Sequence, residues 1–230
     1  MEILSPPHFH VESVEKICLV FILDTSPSMY TLDASSPPQI LSALAFESFA
    51  KCLSGAVSCK SCYVSVIAHN GKSVNGSNLL AHSLEISNDN LAPFIKWIYF
   101  QMLDLENNLG EPVSNANHGD DPNVFKSSVL LELGLQTLEL MPPDHEKVLI
   151  IITSGISIMQ PDQISSDIIF KFTSMRSIII IVGSECGFTP MCTYSFVARV
   201  TDMNWFSDSI GAVIVNDNDL PYCDSNVSIY

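Results

Sequence analysis

The stretch that decides the fold is residues 17–29, ICLVFILDTSPSM, in which seven apolar residues are followed at once by a carboxylate and hydroxyls. A continuous apolar run of this length predicts a strand buried on both faces, as the central strands of parallel sheets are. Two similar runs follow, Lys147 to Thr153 and Ser177 to Val182. Because segments with helical spacing separate the runs, the sequence predicts a doubly wound α/β fold whose mostly parallel sheet carries helices on both faces.

The segments between these runs predict the remaining elements. Apolar residues at helical spacing predict helices over 39–53, 90–107, 124–141, 161–175 and 192–203. Further strands are predicted over 62–68, over 79–86 as an antiparallel edge strand after the hairpin signal Asn70-Gly71, and over 211–215. Residues 109–122 predict a surface loop. The expected division is an N-terminal extension over 1–16, one domain over 17–216, and a tail or continuation over 217–230.

Composition and charge narrow the function classes. The chain has 230 residues, of which 47% are hydrophobic and 15% charged, as in folded domains. Ten basic against 25 acidic residues give a net charge of −15, which argues against binding to nucleic acid or to an anionic membrane surface. Seven cysteines, an odd number, predict reduced thiols. With no signal peptide or membrane span recognisable, we expect a cytoplasmic protein.

The polar residues after the first run form the pattern Asp24-x-Ser26-x-Ser28. A carboxylate and two hydroxyls on a tight loop are hard oxygen ligands, which suit Mg²⁺ or Mn²⁺. The alternative is that the same three side chains only order the connection between strand and helix. The sequence leaves both interpretations open.

With this motif after its first strand, the chain resembles the von Willebrand factor A family from about Ile17 to Val215. In that family the loop forms the metal-ion-dependent adhesion site, and a partner's carboxylate completes the coordination. The resemblance implies a protein-binding domain without enzymatic activity. Complete sites also carry a Thr before the helix that precedes the fourth strand and an Asp after that strand. Here Ser127 or Ser128 and Ser154 stand at those places, which implies a degenerate site of low metal affinity.

Several segments resemble, more particularly, the N-terminal region of the scaffold subunits of KICSTOR complexes. They are residues 23–28, 62–69, 104–107, 131–142 and 148–156. This resemblance implies a role in amino-acid sensing and in negative regulation of TORC1 signalling. It also implies KICSTOR and GATOR1 subunits as partners, and recruitment through them to the lysosomal or peroxisomal surface.

Other candidate sites have plainer explanations. His69 ends a predicted strand and is either structural or, with Asp24, part of a metal-dependent hydrolase. Cys59-x-x-Cys62 lacks a second pair of zinc ligands at suitable spacing, and residues 118–121 (HGDD) suit a solvated loop. The chain contains no nucleophile elbow, Walker loop or dinucleotide fingerprint. Residues 92–107 are apolar nearly all round, which predicts either burial on both sides or a docking surface.

Overall fold

The computed structural model describes residues 15–25, 27–30, 40–69, 77–107, 127–153, 165–173, 176–182 and 196–200. The strands in these segments are β1 (Lys16–Asp24), β2 (Ser61–His69), β3 (Ser77–Glu85), β4 (Glu146–Thr153), β5 (Arg176–Val182) and β6 (Phe196–Val200). The helices are α1 (Leu41–Ala56), α2 (Asn88–Asn107), α3 (Ser127–Glu139) and α4 (Ser166–Thr173). A short 3-10 turn, Pro27–Tyr30, follows β1.

The described strands form one sheet in the order β3-β2-β1-β4-β5-β6. β1 pairs in parallel with β2 and β4, and the parallel pairing continues through β5 to β6. β3 runs antiparallel to β2 at the edge. The predicted doubly wound fold, mostly parallel with one antiparallel edge strand, is confirmed.

The central strand β1 explains why the first apolar run contains no polar residue. Its odd-numbered residues, Ile17 to Leu23, join the core cluster that includes α1 and α2. Its even-numbered residues, Cys18 to Ile22, join the cluster that includes Leu131 and Leu138 of α3. Successive side chains of a strand point to opposite faces, and here helices cover both faces. All seven side chains are therefore fully buried.

Two features set how the helices pack on the sheet. Phe49 of α1 meets Phe21 edge to face, with ring centroids 4.8 Å apart, and Phe94 of α2 lies 6.5 Å from Phe49. On the other face, Gly134 lets α3 approach closely, because a Cβ there would lie 2.9 Å from Cδ1 of Leu149. Helices thus pack closely on both faces of the central strand β1, which the Asp24 motif ends.

One predicted element is wrong. The helix expected over 192–203 is a strand in its described part, because Phe196–Val200 forms β6 and pairs in parallel with β5. This segment contains Phe196, Val197 and Val200, residue types that favour strands, and its pairing with the backbone edge of β5 overrides a weak helical spacing. The other predicted helices and strands are confirmed within the described residues, with ends shifted by a few positions.

Several expectations lie outside the described residues. They are the loop over 109–122, the strand over 211–215, and the outer ends of the helices predicted over 124–141 and 161–175. The domain limits stay a prediction. Across the segments that the structure covers, no helix is both long and apolar enough to cross a membrane.

Candidate functional site at the switch point of the sheet

The polar loop after β1 lies where the order of the parallel strands reverses. The chain proceeds from β1 to β2 on one side, and β4 then pairs with the other side of β1. In open α/β sheets, ligands bind in the crevice at this point, beyond the carboxyl ends of the strands. Asp24 is the last residue of β1 and Thr153 the last residue of β4, so the two residues flank the crevice.

A hydrogen bond joins these two strand ends. The Thr153 hydroxyl Oγ1 donates to Oδ2 of Asp24 over 2.7 Å, and both residues are fully buried. A buried carboxylate is costly unless donors satisfy its oxygens. Thr153 is thus a site residue that sequence reasoning missed. The available signal was its position at the carboxyl end of a strand adjacent to β1.

The start of the loop is held in two ways. The backbone N–H of Thr25 donates to the carbonyl oxygen of His69 over 2.7 Å, which extends the β1–β2 connection by one residue. Met29, in the 3-10 turn, is fully buried in the core. A backbone hydrogen bond at Thr25 and the burial of Met29 therefore fix the two described ends of this loop.

His69 ends β2 and is paired in register with Asp24, so the structure brings these two predicted site residues together. Burial lowers the pKa of His69 to about 4. The imidazole is then neutral at pH 7, and its low pKa makes it a weak general base.

The remaining predicted residues are distributed as follows. Ser26 and Ser154 lie outside the described residues, as do His118, Asp120 and Asp121. Ser28 belongs to the 3-10 turn, and Ser127 and Ser128 begin α3. Cys59 lies just before β2 and Cys62 lies at its start. Both are therefore at the amino ends of the strands, whereas Asp24 is at the carboxyl ends. The Cys59–Cys62 pair is therefore not part of the switch-point site.

The described part of the switch point offers few acidic ligands to a divalent cation. Among the described residues, no group of three or more His, Cys, Asp or Glu side chains is placed to hold a metal ion. One oxygen of Asp24 already accepts a hydrogen bond from Thr153. With Ser154 in place of the second acidic residue, a cation would have one carboxylate and neutral hydroxyls as ligands, which attract it less than two carboxylates do.

A second polar cluster, at the amino ends of the strands, was not predicted. Nζ of Lys16 lies 2.6 Å from Oδ2 of Asp144, and Oδ1 of Asp144 lies 2.9 Å from Nδ1 of His145. Nε2 of His145 is hydrogen-bonded to Oγ of Ser61 over 3.0 Å. Because Lys16 begins β1, Ser61 begins β2 and His145 precedes β4, the cluster cross-links three strands.

Ser61, His145 and Asp144 are hydrogen-bonded in the same succession as the side chains of a serine-protease triad. A triad needs donors for the oxyanion of its tetrahedral intermediate. The backbone N–H of Ser61 instead donates to the carbonyl oxygen of Glu15 over 3.1 Å. Lys16 further holds Asp144 in an ion pair, and hydrogen bonds from Lys16 and His145 lower the pKa of Asp144 to about 2. We therefore interpret the cluster as a structural link between strand ends.

A doubly wound α/β domain with a polar loop at its switch point belongs to a broad class of folds. Comparison with solved structures specifies the fold further. The fold is von Willebrand factor A-like. A von Willebrand factor type A protein from Catenulispora acidiphila matches 89% of this chain with a TM-score of 0.54 and 12% identity. The TFIIH p34 N-terminal domain matches 86% of this chain and 96% of its own length, with a TM-score of 0.57 and 13% identity.

The PilB minor pilin from Streptococcus sanguinis, in its D319A mutant, has a TM-score of 0.53 at 10% identity and matches 91% of this chain. This chain spans 46% of the Catenulispora protein and 62% of the pilin. No protein-family model and no curated protein sequence matches the chain. At these identities the likeness establishes the fold.

Proposed function

We propose that this chain is a non-enzymatic protein-interaction domain of a KICSTOR-type scaffold that takes part in amino-acid sensing and restrains TORC1 signalling. The observation that supports metal-independent binding is the buried hydrogen bond between Thr153 and Asp24. It occupies, from within the protein, one oxygen of a carboxylate that complete members of the family offer to a cation. Partner binding by this domain therefore does not depend on a metal.

The scaffold assignment rests on the resemblance to the N-terminal region of the seizure-threshold-two protein. Two of the segments that carry it, 131–142 and 148–156, include the second half of α3 and most of β4. A domain of TFIIH p34 shares the fold, which supports a role as one domain within a larger assembly. The proposed location is the cytoplasm, with recruitment to the lysosomal or peroxisomal surface through partner subunits.

The test is purification of the chain, tagged at its own locus, with quantitative mass spectrometry of the bound proteins. We expect KICSTOR and GATOR1 subunits above the level of an untagged parental line. Deletion of the locus should leave TORC1 substrates phosphorylated during amino-acid starvation. Absence of every such subunit, together with normal loss of phosphorylation on starvation, would contradict the proposal.

A second candidate is a metal-ion-dependent adhesion or ligand-binding domain that uses Asp24, Ser26 and Ser28. One observation favours it: Oγ1 of Thr25, beside Asp24, is buried and has no hydrogen-bond partner among the described residues. Titration calorimetry and thermal unfolding with Mg²⁺ or Mn²⁺, against EDTA, separate the candidates. The first proposal expects no binding heat and an unchanged Tm. A rise in Tm that Asp24→Asn abolishes would support the second.

A further inference from the structure

The feature that the switch-point site does not use is an exposed aromatic surface on α2. Trp97, Tyr99 and Phe100 are 40%, 43% and 50% exposed. The opposite side of the same helix is buried in the core through Phe94, Ile98 and Met102. We call Trp97, Tyr99 and Phe100 the aromatic face. The prediction of burial on both sides of this helix is therefore wrong, and the alternative, a docking surface, is retained.

The aromatic face is anchored to the core. The ring centroid of Tyr99 lies 5.0 Å from that of Phe46 in α1 and 5.9 Å from that of Phe100. Trp97 lies 6.1 Å from the buried Phe94. Single exposed apolar residues are ordinary, but three large rings within four residues are not. Rings held in this way supply large contact areas at small entropic cost, which is the property of interface hot spots.

The charges around the aromatic face favour a cationic partner. Asp89 and Asp104 are exposed, and steps of three or four residues through 93, 97 and 100 bring them onto the same side of α2 as Trp97 and Phe100. Lys96 is an opposing charge on this side, because its Nζ lies 5.9 Å from the ring centroid of Phe100, and a partner's cation at that ring has to displace it. The chain as a whole carries a charge of −15.

We propose that the aromatic face of α2 binds a basic amphipathic helix of a partner protein. The apolar stripe of that helix packs on Trp97 and Phe100, which share one side of α2, while Tyr99 lies beside them against Phe46 of α1. Its cationic side chains lie near Asp89 and Asp104. These two carboxylates are about 22 Å apart along the axis of α2, the length of a helix of roughly 15 residues. An acidic segment is repelled by both ends of the face. The biological meaning of this surface rests on the proposed interaction function.

The test uses the whole purified chain and synthetic 18-residue peptides of leucine and lysine. One peptide has leucine at helical spacing, and a scrambled peptide of equal composition does not. We expect the amphipathic peptide to bind at least tenfold more tightly than the scrambled one. The double variant W97S/F100S, which removes two rings that are 40% and 50% exposed and keeps the buried Phe94 and Ile98, should weaken binding at least tenfold. Phe170→Ser, which removes a 74% exposed ring from α4, is the matched control and should change it less than twofold.

Three results would overturn the inference. The first is that both peptides bind equally, or that the double variant binds the amphipathic peptide as the wild type does. Either result would mean that the basic peptides are attracted unspecifically to the acidic chain. The second is equally tight binding of a leucine–glutamate peptide. The third is dimerisation of the wild type, measured by sedimentation, that the double variant abolishes, because the aromatic face would then contact a second copy.

The cellular purification separates this inference from the proposed function. If KICSTOR and GATOR1 subunits bind the double variant as well as the wild type, the aromatic face is not their docking site and the proposed function stands. If those subunits never bind the wild type while the amphipathic peptide binds as expected, the scaffold assignment fails and the aromatic face stands. Loss of the subunits from the double variant, with the Phe170→Ser control unaffected, supports both.

Discussion

At the scale of single residues, the switch-point site depends on how a buried carboxylate is satisfied. Asp24 has no exposed surface, and Thr153 donates to it across the junction of β1 and β4. This side-chain hydrogen bond joins the carboxyl ends of the two central strands.

Thr153→Val should lower the free energy of unfolding by about 1–3 kcal/mol. Valine has nearly the same shape as threonine, but it leaves the buried carboxylate without this donor. Urea unfolding followed by circular dichroism measures the change. Thr153→Ser keeps the hydroxyl and is the control, with a smaller loss. A Thr153→Val protein as stable as wild type would show that the hydrogen bond contributes nothing.

His69 should make the stability depend on pH between about 6.5 and 4. Burial lowers its pKa from 6.5 to about 4 in the folded state, so the unfolded chain binds the proton more tightly. The contribution of His69 to the free energy of unfolding is therefore fully present above pH 6.5. It is lost as the pH drops toward 4, and the loss is at most about 3 kcal/mol. Urea titrations across this range should show a shallower pH dependence for His69→Gln. His82→Gln, which changes an exposed histidine, is the control for the substitution itself.

At the scale of elements, one residue of α3 determines how closely this helix packs on the sheet. Gly134 faces β1 and β4, and a Cβ there would lie 2.9 Å from Cδ1 of Leu149 and 3.0 Å from Cδ1 of Ile22. Glycine weakens a helix by about 1 kcal/mol relative to alanine. Its presence in the middle of α3 is explained by this close approach.

Gly134→Val should destabilise the fold by about 1–3 kcal/mol, because overpacking of a dense core outweighs the gain in helix propensity. Chemical unfolding measures the loss. Gln136→Val, at an exposed position of the same helix, is the matched control and should change stability by less than about 0.5 kcal/mol. Similar losses at both positions would mean that the clash plays no part.

At the scale of the whole molecule, the two-sided core controls the chemistry of the thiols. Cys18, Cys52 and Cys62 are buried, whereas Cys59 is half-buried. Burial raises the pKa of the Cys18 thiol to about 11 and that of Cys62 to about 12, and it also raises the pKa of Cys52. Because the thiolate is the reactive form, these thiols are protected twice, by exclusion of the reagent and by their protonation.

Site-resolved alkylation with iodoacetamide at pH 8 should label Cys59 faster than Cys18, Cys52 and Cys62 in the native protein. The three buried thiols should react only at urea concentrations that unfold the whole domain, because the sheet and both helix layers must separate first. Fully denatured protein, in which all four react alike, is the control. Native labelling of Cys52 at the rate of Cys59 would contradict a single cooperative core.

The amino-acid sequence by itself determined the class of fold and the position of Asp24 at the carboxyl end of a central strand. An apolar run such as residues 17–23 has few places in a folded protein other than a strand covered on both faces, because its side chains point alternately to each face. The polar residues that end such a run must then lie at the carboxyl edge of the sheet. Local pattern was sufficient because burial and periodicity are properties of the segment itself.

Tertiary structure alone decided which strand ends meet and which helix side stays exposed. Thr153 reaches Asp24 because β4 pairs with β1 although 129 positions separate the two residues. Phe196–Val200 is a strand because the edge of β5 offers backbone partners. Trp97 and Phe100 are exposed while Ile98 is buried because α2 packs beside α1 on one side only. These outcomes depend on contacts between segments distant in the chain, which no local pattern encodes.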